Sequence, residues 1–283
     1  MMPKHPKCRT MHVRGLCARW ALSAVLVFSI VQAPPASALP PSIFDVQPEL
    51  DQGLLGEGRQ AYRERADSRR GRDAYRLFKQ HYQQNPDDPV AGWHFSMSCY
   101  YMGMRVLKTS EDRKQIHAEG RAAADRALAQ DPNCGPCHLL SGINHALWAE
   151  QVGIFRSLVG LPKVRKHLDR SAEIDPTFAG AAAHRTLAQI AQALPRMFGG
   201  GKKKTLGHIR DALSIAPEEP LNYEIMVDLM IKEKNMPAAL YWAERGIAVP
   251  KPGPEYVESR GSIEYMQKII KLLTRPLHAA RRE

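Results

Sequence analysis

Residues 120–132 read GRAAADRALAQDP: small and helix-favouring side chains run up to an Asp-Pro step and stop there. Proline ends a helix because it has no N–H to donate and its ring clashes with the turn before it. The same ending recurs at Asn85-Pro86, Asp175-Pro176, Ala216-Pro217 and Val249-Pro250. Twelve residues before each of the five prolines stand Ala74, Gly120, Val164, Thr205 and Ala238. Eight before stand Phe78, Ala124, Leu168, Ile209 and Trp242. A small residue where helices touch, with a bulkier one a turn later, marks stacked helix-turn-helix repeats. The predicted fold is therefore an all-α solenoid, and a solenoid is first of all a binding surface.

Outward from the repeats, the N-terminus has a different character. Lys4, Lys7, Arg9, Arg14 and Arg19 precede an apolar stretch, Trp20 to Val31, which leads through prolines to Ala36-Ser37-Ala38. This is the pattern of a secretory signal over residues 1–38, cut after Ala38. A retained membrane anchor is the rival, but twelve apolar residues fall short of the ~20 that span a bilayer. Five of the 40 basic residues leave with the signal, so the net charge falls from +11 to +6. A surplus of that size along a helical repeat is a solvated face, with Arg69-Arg70-Gly71-Arg72 and Lys202-Lys203-Lys204 as its basic runs. Nothing in it matches a nucleic-acid recognition motif, and no further segment is long and apolar enough to span a membrane. Periplasmic export is the expectation.

Residues 39–50 read as a linker, 51–275 as the solenoid and 276–283 as a tail. The first unit is predicted as two helices, Leu54–Ala66 and Arg72–Gln83. The closing prolines lie 46, 44, 41 and 33 residues apart, and only the last approaches the tetratricopeptide period of ~34. The surplus falls between the two helices of successive units, in Met104–Gln115, Gln151–Leu161 and Leu194–Lys204. Equivalent insertions in a stacked array project from one side, so these three elbows are expected to build a shared rim or pocket. Longer helices without a task are the plainer alternative. Pro254–Leu273, with apolar positions at helical spacing, reads as a helix capping the exposed end of the stack.

Cys8 and Cys17 leave with the signal; Cys99, Cys134 and Cys137 remain. In an oxidising compartment the expectation is one disulfide and one spare thiol, and spacing does not say which pair forms. Cys134-Gly135-Pro136-Cys137-His138 also fits two chemical patterns. C-x-x-C-H attaches c-type haem, and Cys-Gly-Pro-Cys is the spacing of thioredoxin-like sites. A thioredoxin site follows a strand, whereas this motif follows the Asp131-Pro132 turn, and close-packed repeats leave little room for a haem. Structural use is favoured, as a local or inter-repeat disulfide involving Cys99, and no cofactor is expected.

Pro195, Arg196, Phe198, Gly199, Gly200 and Gly201 end the third insertion. The glycines let the backbone approach a ligand or a neighbour closely; the alternative is a sharp turn with a basic tip. The Gly-Lys step is not a nucleotide-binding loop, because Lys203 stands where Ser or Thr is needed. Phe155 and Phe198, lying in insertions, are expected to line a cavity, while Trp93, Trp148, Trp242 and Tyr100-Tyr101 are expected in the helical seam. Asn144 is expected to bond a neighbouring repeat. No metal-ligand spacing appears beyond the cysteines, though His138, His145, His167, His184 and His208 could converge in space, and no catalytic motif is present.

The run from Ala122 through Asp131-Pro132-Asn133-Cys134, the enlarged connections, and Leu194-Pro195-Arg196 followed by Gly199-Gly200 resemble the T-component (TatT) family of tripartite TRAP transporters. The Cys-x-x-Cys-His segment and Met236-Pro237-Ala238-Ala239-Leu240-Tyr241-Trp242 also resemble the regulator of microtubule dynamics family. The first resemblance implies degenerate tetratricopeptide units, a periplasmic site and a trimeric tendency. It further implies partnership with a substrate-binding protein carrying a small, hydrophobic ligand. That family is typically lipid-anchored through a cysteine after the signal; here no cysteine follows the apolar stretch before Cys99, so a soluble periplasmic protein is expected. A microtubule role does not carry over to an exported chain. A general envelope-assembly scaffold is the alternative function, and a haem or thiol-redox protein the next.

Overall fold

The structure, a computed structural model, describes residues 50–274, and only the backbone of residues 154–157. The expected signal, nearly all of the linker and the tail lie outside the described residues. Within them every regular element is helical. Five hairpins follow one another: α1 (Gly53–Arg63) with α2 (Ser68–Gln84), α3 (Pro89–Tyr101) with α4 (Ser110–Gln130), α5 (Gly135–Val152) with α6 (Ile154–Ile174), α7 (Phe178–Ala193) with α8 (Lys202–Ile215), and α9 (Pro220–Lys232) with α10 (Met236–Ile247). A last helix, α11 (Val257–Leu273), completes the stack.

Each marking proline sits just past the second helix of a unit, and the turns are capped by short polar side chains. Asp88 accepts from the Val90 N–H at 2.9 Å and Glu219 from the Leu221 N–H at 3.1 Å, with Pro89 and Pro220 in the first turn. Prolines fit there because those N–H groups lack helical acceptors anyway. Ala74, Val164 and Thr205 are buried as expected, and so are Phe78, Ala124, Leu168 and Ile209. The fifth unit is out of step by one residue. Ala239 and Ala243 are buried where Ala238 and Trp242 were expected, because Pro250 stands three residues beyond the end of α10 instead of two. The seam is filled by small residues more than by the large aromatics. Trp93, Trp148 and Trp242 are only half-buried, whereas Tyr101 is buried.

Asn144 does link repeats. It accepts from His117 Nδ1 of α4 at 2.9 Å and donates to the Ser96 carbonyl and hydroxyl of α3 at 3.1 and 3.0 Å. A buried amide must find such partners, since leaving it unpaired costs ~1–3 kcal/mol. The start of α7 departs from regular geometry: Ala179, Gly180 and Ala181 all take left-handed backbone angles. Arg185 straps this turn by donating to the Gly180 carbonyl at 2.8 Å and the Ala179 carbonyl at 3.1 Å.

The stack does not end in a free capping helix. Along its length α11 lies on α9 and α10, burying Met266 and donating from Tyr265 Oη to Asp228 at 2.6 Å. Its leading end reaches the first hairpin. Arg65, in the loop after α1, donates to the Glu255 carbonyl at 2.6 Å and forms an ion pair with Glu258. Tyr101 Oη of α3 in turn donates to the Arg65 carbonyl at 2.7 Å. The two ends of the array are thus joined. Arg185 of α7 is half-buried, and loss of water holds it below the ordinary arginine range against the pull of nearby Glu219, Tyr100, Glu224 and Glu258. Polar faces of α3, α7, α9 and α11 therefore turn toward a common interior.

Candidate functional site

The three inserted stretches take different forms. In the first, α3 runs on through one π-helical turn, Met102–Val106, before Thr109 caps α4 by accepting from the Asp112 N–H at 3.1 Å. Gly103 lies against His117, leaving no space for a Cβ. In the second, the elbow is a single residue, Gly153, at φ +97°, so the added length is spent on the helices on either side. The longer-helix alternative therefore holds for most of these two stretches. Only the third is an enlarged connection: Pro195, a 3-10 turn over Arg196–Phe198, then three glycines.

The glycine run is dictated by the chain itself. Gly199 and Gly201 have φ of +74° and +93°, and a Cβ on Gly200 would strike the Leu194 carbonyl. The turn folds back on its own unit, with the Gly201 N–H donating to the Ala191 carbonyl at 2.7 Å. It is also held from the unit before, because Arg165 of α6 donates to the Phe198 and Gly199 carbonyls, both at 3.0 Å. The glycines thus approach a neighbour, and Pro195, Arg196, Met197 and Phe198 are left exposed at the tip. Phe198 opens to solvent. The backbone of Phe155 lies in the first turn of α6, and its side chain is outside the described residues.

Each elbow is tied to a neighbouring unit. Ser110 Oγ, after the first, donates to Gln151 Oε1, before the second, at 2.9 Å, and Arg165 joins the unit of the second elbow to the third. On the three inserted stretches Met104 is 47% exposed, Val159 83% and Met197 81%. Lone exposed apolar residues are ordinary on a protein surface. An open apolar side chain on each of three successive inserted stretches is a pattern. Lys108, Arg196, Lys203 and Lys204 stand exposed beside them, with Glu111 and Asp112 at the start of α4.

The cysteines divide into one bonded pair and one free thiol. Cys134 and Cys137 form a disulfide across the first turn of α5, where Cys134 is also the cap, its sulfur accepting from the Cys137 N–H at 3.2 Å. Cys99, expected in the disulfide, is instead the spare thiol: it is buried in α3 while Cys134 and Cys137, three residues apart, reach each other across one helical turn, and burial pushes its ionisation up. The motif does not fit a haem: Cys137 is fully buried with Ala127, Trp93 and Leu128, and the His138 ring is engaged on both sides. The Pro132 carbonyl, 3.0 Å from His138 Nε2, can only accept, so that nitrogen carries the proton. His138 Nδ1 is left to accept from His167 Nδ1 at 3.0 Å. Burial holds His167 neutral, down to about 4. The histidines pair across hairpins instead of gathering in one centre: His138 with His167, and His184 with His208. Spacing could not show this, because the partners lie on different helices.

The fold defines a tetratricopeptide-like helical-repeat protein. Residues 54–184, from α1 into α7, match the family Regulator of microtubule dynamics protein 1-3. Among solved structures, a thermophilic TPR protein of Thermus thermophilus aligns over 76% of this chain and all of its own, with a TM-score of 0.58 at 14% identity. No curated protein matches the chain.

Proposed function

We propose that this chain is an exported, non-enzymatic scaffold that docks a protein partner along the border formed by its three elbows. The observation carrying this reading is that each of the three inserted stretches leaves an apolar side chain open, Met104, Val159 and Met197 with Phe198, and that exposed basic residues stand next to them in the chain. Protein interfaces place apolar anchors at the centre of a patch and charge at its rim. The fitting partner is a folded protein with an apolar patch fringed by acids. A tetratricopeptide-like fold favours a protein partner, since such stacks present long continuous surfaces.

The particular role we assign is an accessory component of a TRAP-type uptake system in the periplasm, holding a substrate-binding protein. Its support is the likeness of the Asp131-Pro132-Asn133-Cys134 and Leu194–Gly200 segments to the T-component family. The test is a periplasmic pull-down with wild-type protein and the M197D/F198D variant. Retention of a solute-binding protein by wild type, weakened at least tenfold in the variant, is expected. Equal retention by both would remove the elbow border from the proposal. Retention of cell-wall or outer-membrane factors alone would replace the uptake role with envelope assembly.

A further inference from the structure

On the fourth hairpin, His184 of α7 meets His208 and Asp211 of α8. One ligand atom from each lies within 4.8 Å of the other two, and His184 Nδ1 is 3.9 Å from Asp211 Oδ2. His208 and Asp211 are three residues apart, which puts them on one face of α8. His184 comes from the facing helix, and the hairpin is fixed beneath by buried Ala181, Ala188, Ile209 and Ala212. A second observation points to a ligand: His184 Nδ1 is shielded from solvent and has no hydrogen-bond partner. A nitrogen left so forfeits the hydrogen bond it made to water, a loss that a bound cation would reverse.

We infer that His184, His208 and Asp211 bind one divalent transition-metal cation of the zinc class. Two imidazoles and one carboxylate suit Zn²⁺, Co²⁺ or Ni²⁺, whereas Mg²⁺ and Ca²⁺ prefer all-oxygen sets. Bonds of ~2.0–2.2 Å to a tetrahedral centre bring ligand atoms to about 3.4 Å from one another, so the set must close by about an ångström. Asp211, exposed at the helix surface, is free to swing in. The cation would clip α7 to α8 in the hairpin that carries Arg196–Phe198. It would therefore stiffen the third elbow whatever that elbow docks.

The test uses the full chain, stripped with a chelator and titrated with Zn²⁺ by calorimetry, beside H184A/H208A, D211N and the control H138A/H167A. Wild type should bind one more Zn²⁺ per chain than H184A/H208A. In D211N that site should weaken at least tenfold, and H138A/H167A should match wild type. Replacing Zn²⁺ with Co²⁺ should give visible absorption of a tetrahedral nitrogen–oxygen site in wild type, lost in H184A/H208A. Circular dichroism confirms that each variant keeps its helices, and H184Q replaces the double variant if that one unfolds. Equal zinc stoichiometry in wild type and the triad variants, or a Co²⁺ spectrum unchanged between them, overturns the assignment.

Discussion

Cutting the contact between the first hairpin and the last helix should cost more than a surface ion pair and should loosen the whole stack. The side chain of Arg65 is 1% exposed and that of Glu258 19%, so the pair lies mostly out of water. Removing one partner from a fully buried pair costs ~3–5 kcal/mol, largely because a charge is stranded. Here the loss is smaller. Arg65 still donates to the Tyr62 and Glu255 carbonyls at 3.0 and 2.6 Å, and its guanidinium carbon lies 4.3 Å from the Tyr62 ring centroid. The E258Q variant should therefore lose about 2 kcal/mol, and the coupling between R65M and E258Q in a double-mutant cycle should be about 1.5 kcal/mol. Urea unfolding of the four proteins at pH 7 measures the cycle, and small-angle scattering should show a larger radius of gyration for E258Q. Coupling under about 0.5 kcal/mol, the additivity expected of distant sites, together with an unchanged radius would refute the joining of the ends.

Two further perturbations test the interior. His94 donates from Nδ1 to the Val90 carbonyl at 2.8 Å and faces Arg59 through Nε2; burial first, with that cation, lowers it to about 3. Its unfolded value is ~6.5, so below that the unfolded chain takes up the proton and the folded one resists it. Stability should fall as pH drops from 6.5 toward 3, by up to ~1.4 kcal/mol per unit, and H94Q should flatten the melting-temperature profile there; parallel profiles would sink the idea. A matched pair of glycines should move stability in opposite directions. A Cβ at Gly207 meets nothing, so G207A gains ~0.5–1 kcal/mol of helix propensity. At Gly246 it would sit 2.4 Å from Met266 Sδ and 2.7 Å from Tyr223 Cβ, so G246A loses ~1–3 kcal/mol by overpacking. Urea midpoints decide, and the reverse order would refute the packing assigned to α10 and α11.

The repeats were legible because proline acts locally: it ends a helix wherever it stands, and the buried positions of four units follow from counting back. The same rule misplaced Trp242, since the distance from helix end to Pro250 grew by one residue and every buried position moved with it. The third elbow was legible from Pro195 and Gly199–Gly201, which leave the backbone no helical option. The first two were not, because a length surplus says nothing about whether the extra residues extend a helix or a loop. Gly153 was the available signal for the second, a lone glycine in a helical run. The Arg65–Glu258 contact leaves no trace in the sequence. Its partners are 193 residues apart, and charge pairing at that distance follows no period. His208 and Asp211 share a helix face by spacing alone, but the arrival of His184 depends on how α7 registers against α8.

The joined ends bear on how the elbow border could work. In an open solenoid each hairpin touches only its neighbours, so small rotations add along the stack and the outer edge flexes like a spring. A contact from Arg65 to α11 removes that freedom, since any change in pitch must be taken up within a closed path. Arg165, gripping the Phe198 and Gly199 carbonyls, removes the local freedom of the third elbow as well. A partner settling on the third elbow would then meet a backbone already held, although the Met197 side chain itself is open. Association ordinarily loses free energy to the ordering of loops and side chains, and in the docking proposed above the loop share of that loss is reduced at the third elbow. If E258Q opens the closed path, the proposed docking should weaken in that variant although no residue of the elbows has changed, and a pull-down with E258Q beside wild type reads this directly.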